Sequence, residues 1–138
     1  MLKAVETRPK PGDTEKITIN LGAIDLGQID LLVREAFYSN RTDFIRTAIR
    51  NQLQTHAEVV KQTVSRETMA LGLRHYTRAD LEALRGAGRQ LQIHVLGLAS
   101  VAHDVPPELA RAVISSVHVL GVLQASSAVK AALADRIY

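Results

Sequence analysis

Lys16, Thr18 and Asn20 stand at alternate positions of the stretch EKITINL, interleaved with Ile17, Ile19 and Leu21. An extended strand turns successive side chains to opposite faces, so a lysine, a hydroxyl and a carboxamide share one face and three aliphatic groups the other. The polar row can donate and accept hydrogen bonds in a flat array, which suits a ligand that displays donors and acceptors along an edge. A second set, Asn40, Arg41 and Thr42, opens the stretch SNRTDFIRTAIRNQL. If that stretch is helical, its first backbone N–H groups have no acceptor within the helix and sit at the positive end of its dipole, a place for a phosphate. Arg46 and Arg50 lie one turn further on and read as a solvated helix face.

Other residues with chemical potential are weaker candidates. His94 and His118 hold equivalent places in IHVLG and VHVLG, and on adjacent strands they would lie ~4.8 Å apart. Two imidazoles do not make a coordination sphere, and no cysteine or evident carboxylate completes one, so no metal is assigned. His103 and Asp104 are neighbours in sequence and not a base with its orienting carboxylate. The serine pairs Ser115/Ser116 and Ser126/Ser127 sit at helix-like positions, and no glycine-rich phosphate loop occurs. Neither an enzyme nor a cofactor is expected.

The elements that must position these residues follow from periodicity. Met1 to Asp13 is polar and contains Pro9, Pro11 and Gly12, and it reads as a flexible arm. After the strand, Leu26, Ile29, Leu32, Val33, Ala36 and Phe37 recur at three-and-four spacing, a helix that Asp25 can cap. Asn40 and Asp43 resemble a capping box for a second helix with Phe44, Ile45, Ala48, Ile49 and Leu53 on its apolar stripe, continuing through Val59, Val60 and Val64. Beyond Thr68 the glycines of MALG, IHVLG and VHVLG (Gly72, Gly97 and Gly121) recur at 25 and 24 residues, each followed twelve residues later by Leu84, Leu109 or Leu133. The stretches between look helical, with Thr77, Asp104 and Ser126 or Ser127 as caps and Pro106 and Pro107 at a helix start. A period of this size predicts about three strand–helix units with parallel strands, because each strand returns through a helix. The fold class is therefore α+β, divided as 1–13 arm, 14–57 strand and two helices, 58–67 helical connector, and 68–138 a solenoid-like β/α repeat.

Composition sets outer bounds. The 138 residues are 46% hydrophobic and contain no cysteine, which excludes disulfides and thiolate chemistry. The apolar run from Leu91 to Ala102 is shorter than the ~20 residues of a membrane span, and a soluble cytoplasmic protein, associated with the bacterial nucleoid, is expected. Net charge is +3, with 8 Lys/Arg against 7 Asp/Glu up to His56 and 9 against 7 beyond it. Total charge thus permits contact with nucleic acid without requiring it.

A lone strand leaves a row of unpaired N–H and C=O groups, and a unit of some forty residues buries too little surface alone. A second copy answers both needs: two strands paired antiparallel about a twofold axis over four helices. The outer face of such a ribbon fits the major groove, where lysine reaches guanine, asparagine pairs with adenine, and threonine meets a base or a thymine methyl. In order and spacing, KITINL and SNRTDFIRTAIRNQL resemble the DNA-reading strand and second helix of the ribbon-helix-helix family, the class of the Arc, MetJ and CopG repressors. The resemblance covers about residues 15–56. It implies a homodimeric DNA-binding transcriptional regulator, most often a repressor, with Lys16, Thr18 and Asn20 reading bases of double-stranded DNA and Asn40, Arg41 and Thr42 holding phosphate. Tyr38 stands where that family commonly ends its first helix with glycine, so the turn must be capped differently. Residues 68–138 resemble no family; open edges and apolar ends of a repeat predict assembly to a tetramer or beyond. The rival reading is an antitoxin-like or plasmid-maintenance adaptor whose C-terminal half binds a partner protein, and a ligand-sensing role is a third.

Overall fold

The computed structural model describes Thr14–Tyr138; the expected arm lies outside the described residues. The chain forms two compact units, Lys16–Thr63 and one containing Val64–Tyr138. Among the described residues no helix is long and apolar enough to cross a membrane.

In the first unit, α1 (Ala23–Arg34) and α2 (Arg41–Thr55) follow a lead that is neither helix nor strand. Gly22, not Asp25, is the N-cap of α1; Asp25 lies inside the first turn, where its charge faces the positive end of the dipole. The helix stops three residues before Phe37. Phe37 N–H donates to Leu32 O and Ala36 N–H to Val33 O, both at 3.0 Å, the paired bonds of a Schellman ending, with Ala36 at φ +63° in the left-handed position that glycine usually fills. This is how the turn manages without glycine near Tyr38. Ala36→Gly removes the Cβ penalty and is expected to raise stability by ~1 kcal/mol, read as a higher urea midpoint at unchanged slope.

Asn40 caps α2 as expected, its Oδ1 accepting from Asp43 N–H at 2.7 Å, while Asp43 Oδ2 accepts from Ser39 N–H at 2.9 Å. Tyr38 packs edge-on against Phe44 with ring centroids 5.0 Å apart, fixing the entry of the chain into the helix. The second helix does not run on unbroken through Val64. It ends at Thr55 with His56 as C-cap, and α3 (Ala57–Arg66) begins at once. Helix α3 ends like α1, with Thr68 at φ +54° and Met69 N–H donating to Val64 O.

The second unit is a three-stranded parallel sheet, β1 (Ala70–Tyr76), β2 (Leu91–Val101) and β3 (Ile114–Gln124), in the spatial order of the chain. Helices α4 (Arg78–Gly86), α5 (Pro107–Val113) and α6 (Ser127–Ala132) follow the strands in turn, and a 3₁₀ turn, Ala134–Arg136, closes the chain. Thr77 caps α4 through a complete capping box with Asp80, and Ser126 caps α6. Asp104 does not cap α5, whose N-cap is Pro106, with Pro107 as first helical residue. The core lies between the sheet and these helices: Leu81, Ile93, Val95, Leu109, Val117 and Val129 are buried there, and Leu84 packs against them.

The strands run through the glycines and do not stop at them. Gly72, Gly97 and Gly121 pair in register across the sheet at φ +115°, +135° and +123°, a backbone region costly to residues with a Cβ. A Cβ on Gly97 would lie 2.3 Å from Gly72 O, and one on Gly121 2.1 Å from Gly97 O. The repeated glycine is thus a row of close backbone approaches across three strands. Val95 and Ala99 both face the core, so the side-chain alternation survives the glycine between them.

Candidate nucleic-acid interface

Thr14–Gly22 is neither helix nor strand in the single chain, and the sheet β1–β2–β3 does not include it. Lys16, Thr18 and Asn20 are exposed. So are the intervening aliphatic groups, with Ile17 at 76% and Ile19 at 59% exposure. Apolar side chains this open are covered by nothing among the described residues. The same holds for the helices of this unit: Ile29 is its only buried hydrophobic residue, whereas Ile24, Phe37, Ile49 and Leu53 are exposed.

The start of α2 brings Asn40, Arg41 and Thr42 together, with different surroundings for each. Asn40 is engaged by its capping bond. Arg41 does not point away into solvent: its Nε and one terminal nitrogen donate to the two carboxylate oxygens of Asp30 on α1, at 2.7 and 2.8 Å. This fork pairs the two helices and holds the Asp30 carboxyl below, and the Arg41 guanidinium above, their ordinary values, first through the hydrogen bond and also through charge.

Thr42 lines a shallow groove of about 350 Å³ with Ser39, Asn40, Asp43, Arg46 and Arg50. Arg46 and Arg50, read from sequence as a solvated face, therefore flank the helix end expected to hold phosphate. Their spacing from Thr42, four and eight residues, carries that information, because positions four apart stack on one helix face. The helix end, its first amides and two guanidinium groups can together receive an anion.

The histidine pair is in register: His94 and His118 stack with centroids 4.6 Å apart and planes 11° from parallel. Glu67 Oε2 lies 4.0 Å from His94 Nε2, which is buried and has no hydrogen-bond partner. Among the described residues no group of three His, Cys, Asp or Glu side chains is placed to hold a metal ion. His75 and His103, outside that register, line a groove of about 470 Å³ at the C-terminal ends of the strands, where His75 Nδ1 lies 2.6 Å from Ser100 Oγ.

Compared with known proteins, residues 12–130 match the family model described as the Ribbon-Helix-Helix transcriptional regulator family. No curated protein and no solved structure matches the chain.

Proposed function

Because the chain belongs to the ribbon-helix-helix transcriptional regulator family, we propose that it is a sequence-specific DNA-binding repressor that acts as a homodimer. The observation that carries this reading is the bare aliphatic face of Ile17, Ile19 and Leu21 beside helices with one buried hydrophobic residue. An antiparallel partner strand and its helices would cover that face and satisfy the open backbone groups. The opposite row, Lys16, Thr18 and Asn20 from each chain, would then enter the major groove and read base edges.

The α2 start supplies register on the duplex. Asn40 and Thr42 present the first amides of the helix to a backbone phosphate, and Arg46 and Arg50 supply charge beside them. Arg41 sets the angle of α2 against α1 through Asp30, so its contribution to phosphate binding includes holding the amides in place. The second unit carries assembly beyond the dimer, which raises affinity for operators with several sites.

Base reading and phosphate holding separate experimentally. Asn20→Ala is expected to relax preference at defined base pairs by ~1–3 kcal/mol while leaving the salt dependence of binding unchanged. Arg46→Ala is expected to weaken every sequence alike and to lower the salt slope by about 1. Binding titrations on a randomised operator library at several salt concentrations measure both. Equal, sequence-blind losses from the two substitutions would overturn the division of labour.

A further inference from the structure

We propose that the sheet face opposite the helices is where a second copy of this chain docks, sheet on sheet. The proposal rests on the reading of the second unit as an assembly module and names its surface. Strand register places two apolar rows across this face, Leu71–Leu96–Leu120 and Leu73–Leu98–Val122. On the helix side the same strands bury Val95 and Ala99 completely; here Leu71, Leu73 and Leu120 remain 61%, 54% and 51% exposed. Leu96 and Val122 are half-buried, and Leu98, between Leu73 and Val122, is 7% exposed, so the open apolar surface is widest on the two outer strands. The rows are bracketed by the His94–His118 pair at one end and by His75–Ser100–Gln124 at the other.

The composition of the face selects the occupant. None of these side chains is a lysine, arginine, aspartate or glutamate. A strongly charged partner or an anionic lipid surface therefore finds no complementary charge, and a second copy meets no repulsion. The row order is also self-complementary. A twofold axis lying between two such faces, along the strands or across them, sets apolar rows over apolar rows and polar rows over polar rows. Two faces so placed bury both sets in a sandwich with the usual spacing of ~10 Å.

Edge pairing through β3 is a poorer route. Ile137 bridges to Val117, and Tyr138 N–H donates to Val117 O at 2.9 Å, so the free side of β3 is partly occupied by the chain's own end. Three strands and four rows span roughly 300 Å² per copy, below the ~800 Å² per partner of a free-standing complex. One contact is therefore weak alone. Two ribbon dimers, each offering two such faces, close the second contact within one complex at an effective concentration near millimolar, which compensates for the small area.

The chain has no cysteine, so a single introduced thiol is a clean probe. Leu96→Cys lies near the centre of the face in either twofold arrangement, and a bismaleimide of about the ~10 Å sheet spacing can join two copies. In the full-length protein at micromolar concentration, L96C is expected to give covalent chain dimers, with a yield at least about tenfold lower when L71E and L120E are also present. Both leucines are more than half exposed, so the charged variant should keep its circular-dichroism melt. L71S/L120S, which adds no charge, should lower the yield in the same direction. Absence of cross-linking in L96C, or an equal yield with and without the glutamates, would overturn the proposal. Sedimentation of L71E/L120E separates it from the ribbon reading. A variant that drops back to a dimer and loses the cross-link supports the face and keeps the ribbon; one that falls to monomer with the cross-link lost supports the face and refutes the ribbon.

Discussion

Gly97→Ala is expected to lower the stability of the sheet unit by about 3 kcal/mol or more, a fall of roughly 12 °C or more in Tm for a unit of this size. Two costs add at this position. The backbone angle of +135° is one that residues with a Cβ adopt only under strain, and the new Cβ would sit 2.3 Å from the carbonyl oxygen of Gly72. Neither neighbour can yield cheaply, because the colliding atom is backbone held in the parallel ladder to β2. The edge position separates the two costs. Gly72 has φ +115° but open space around its missing Cβ, so Gly72→Ala carries the angular cost alone, ~1–3 kcal/mol. Gly121 matches Gly97, with a contact of 2.1 Å to Gly97 O. The expected order of thermal midpoints is wild type, Gly72→Ala, then Gly97→Ala and Gly121→Ala together. Equal effects at all three glycines would show that close approach contributes nothing.

Ile19→Lys is expected to abolish dimerisation and, with it, binding to DNA. In the proposed ribbon this residue points at the helices, and each dimer buries two copies of it. Full burial of an isoleucine contributes ~1.5–3 kcal/mol, so losing two weakens association by ~3–6 kcal/mol, about 10²–10⁴-fold in the dimer dissociation constant. Forcing an unpaired ammonium into that core adds to the loss. In the isolated chain Ile19 is already exposed, so the same change leaves monomer folding intact. Sedimentation equilibrium and a gel-shift titration measure the two losses. Thr18→Ala, on the opposite face, should leave the dimer constant unchanged and alter only binding to DNA. A dimer that tolerates Ile19→Lys is not held by this face.

Much of this was legible in the sequence because it rests on local rules. The caps Asn40, Thr77 and Ser126 and the recurrence of glycine in MALG, IHVLG and VHVLG are short-range signals. What the sequence hid falls into three physical kinds. Ala36 and Thr68 end helices in the left-handed position usually taken by glycine, so α1 and α3 stop with no compositional mark, whereas Gly88, which ends α4 in the same way, is visible. His56 breaks α2 from α3 without glycine or proline. Long-range partners were also hidden: the grip of Asp30 on Arg41 spans two helices. The recurrence of the glycines was legible but its cause was not, because the close backbone approach at Gly97 and Gly121 exists only once the parallel strands are paired.

The pairing of residues 15–21 with their own counterpart is tested most directly by isotope-filtered nuclear Overhauser spectroscopy on an equimolar mixture of labelled and unlabelled chains. Antiparallel ribbons bring α-protons of facing residues close together, so cross-chain contacts are expected among Lys16, Thr18 and Asn20, alternating along the stretch. Contacts from these residues only to their own chain, such as the open side of β1, would contradict the shared ribbon.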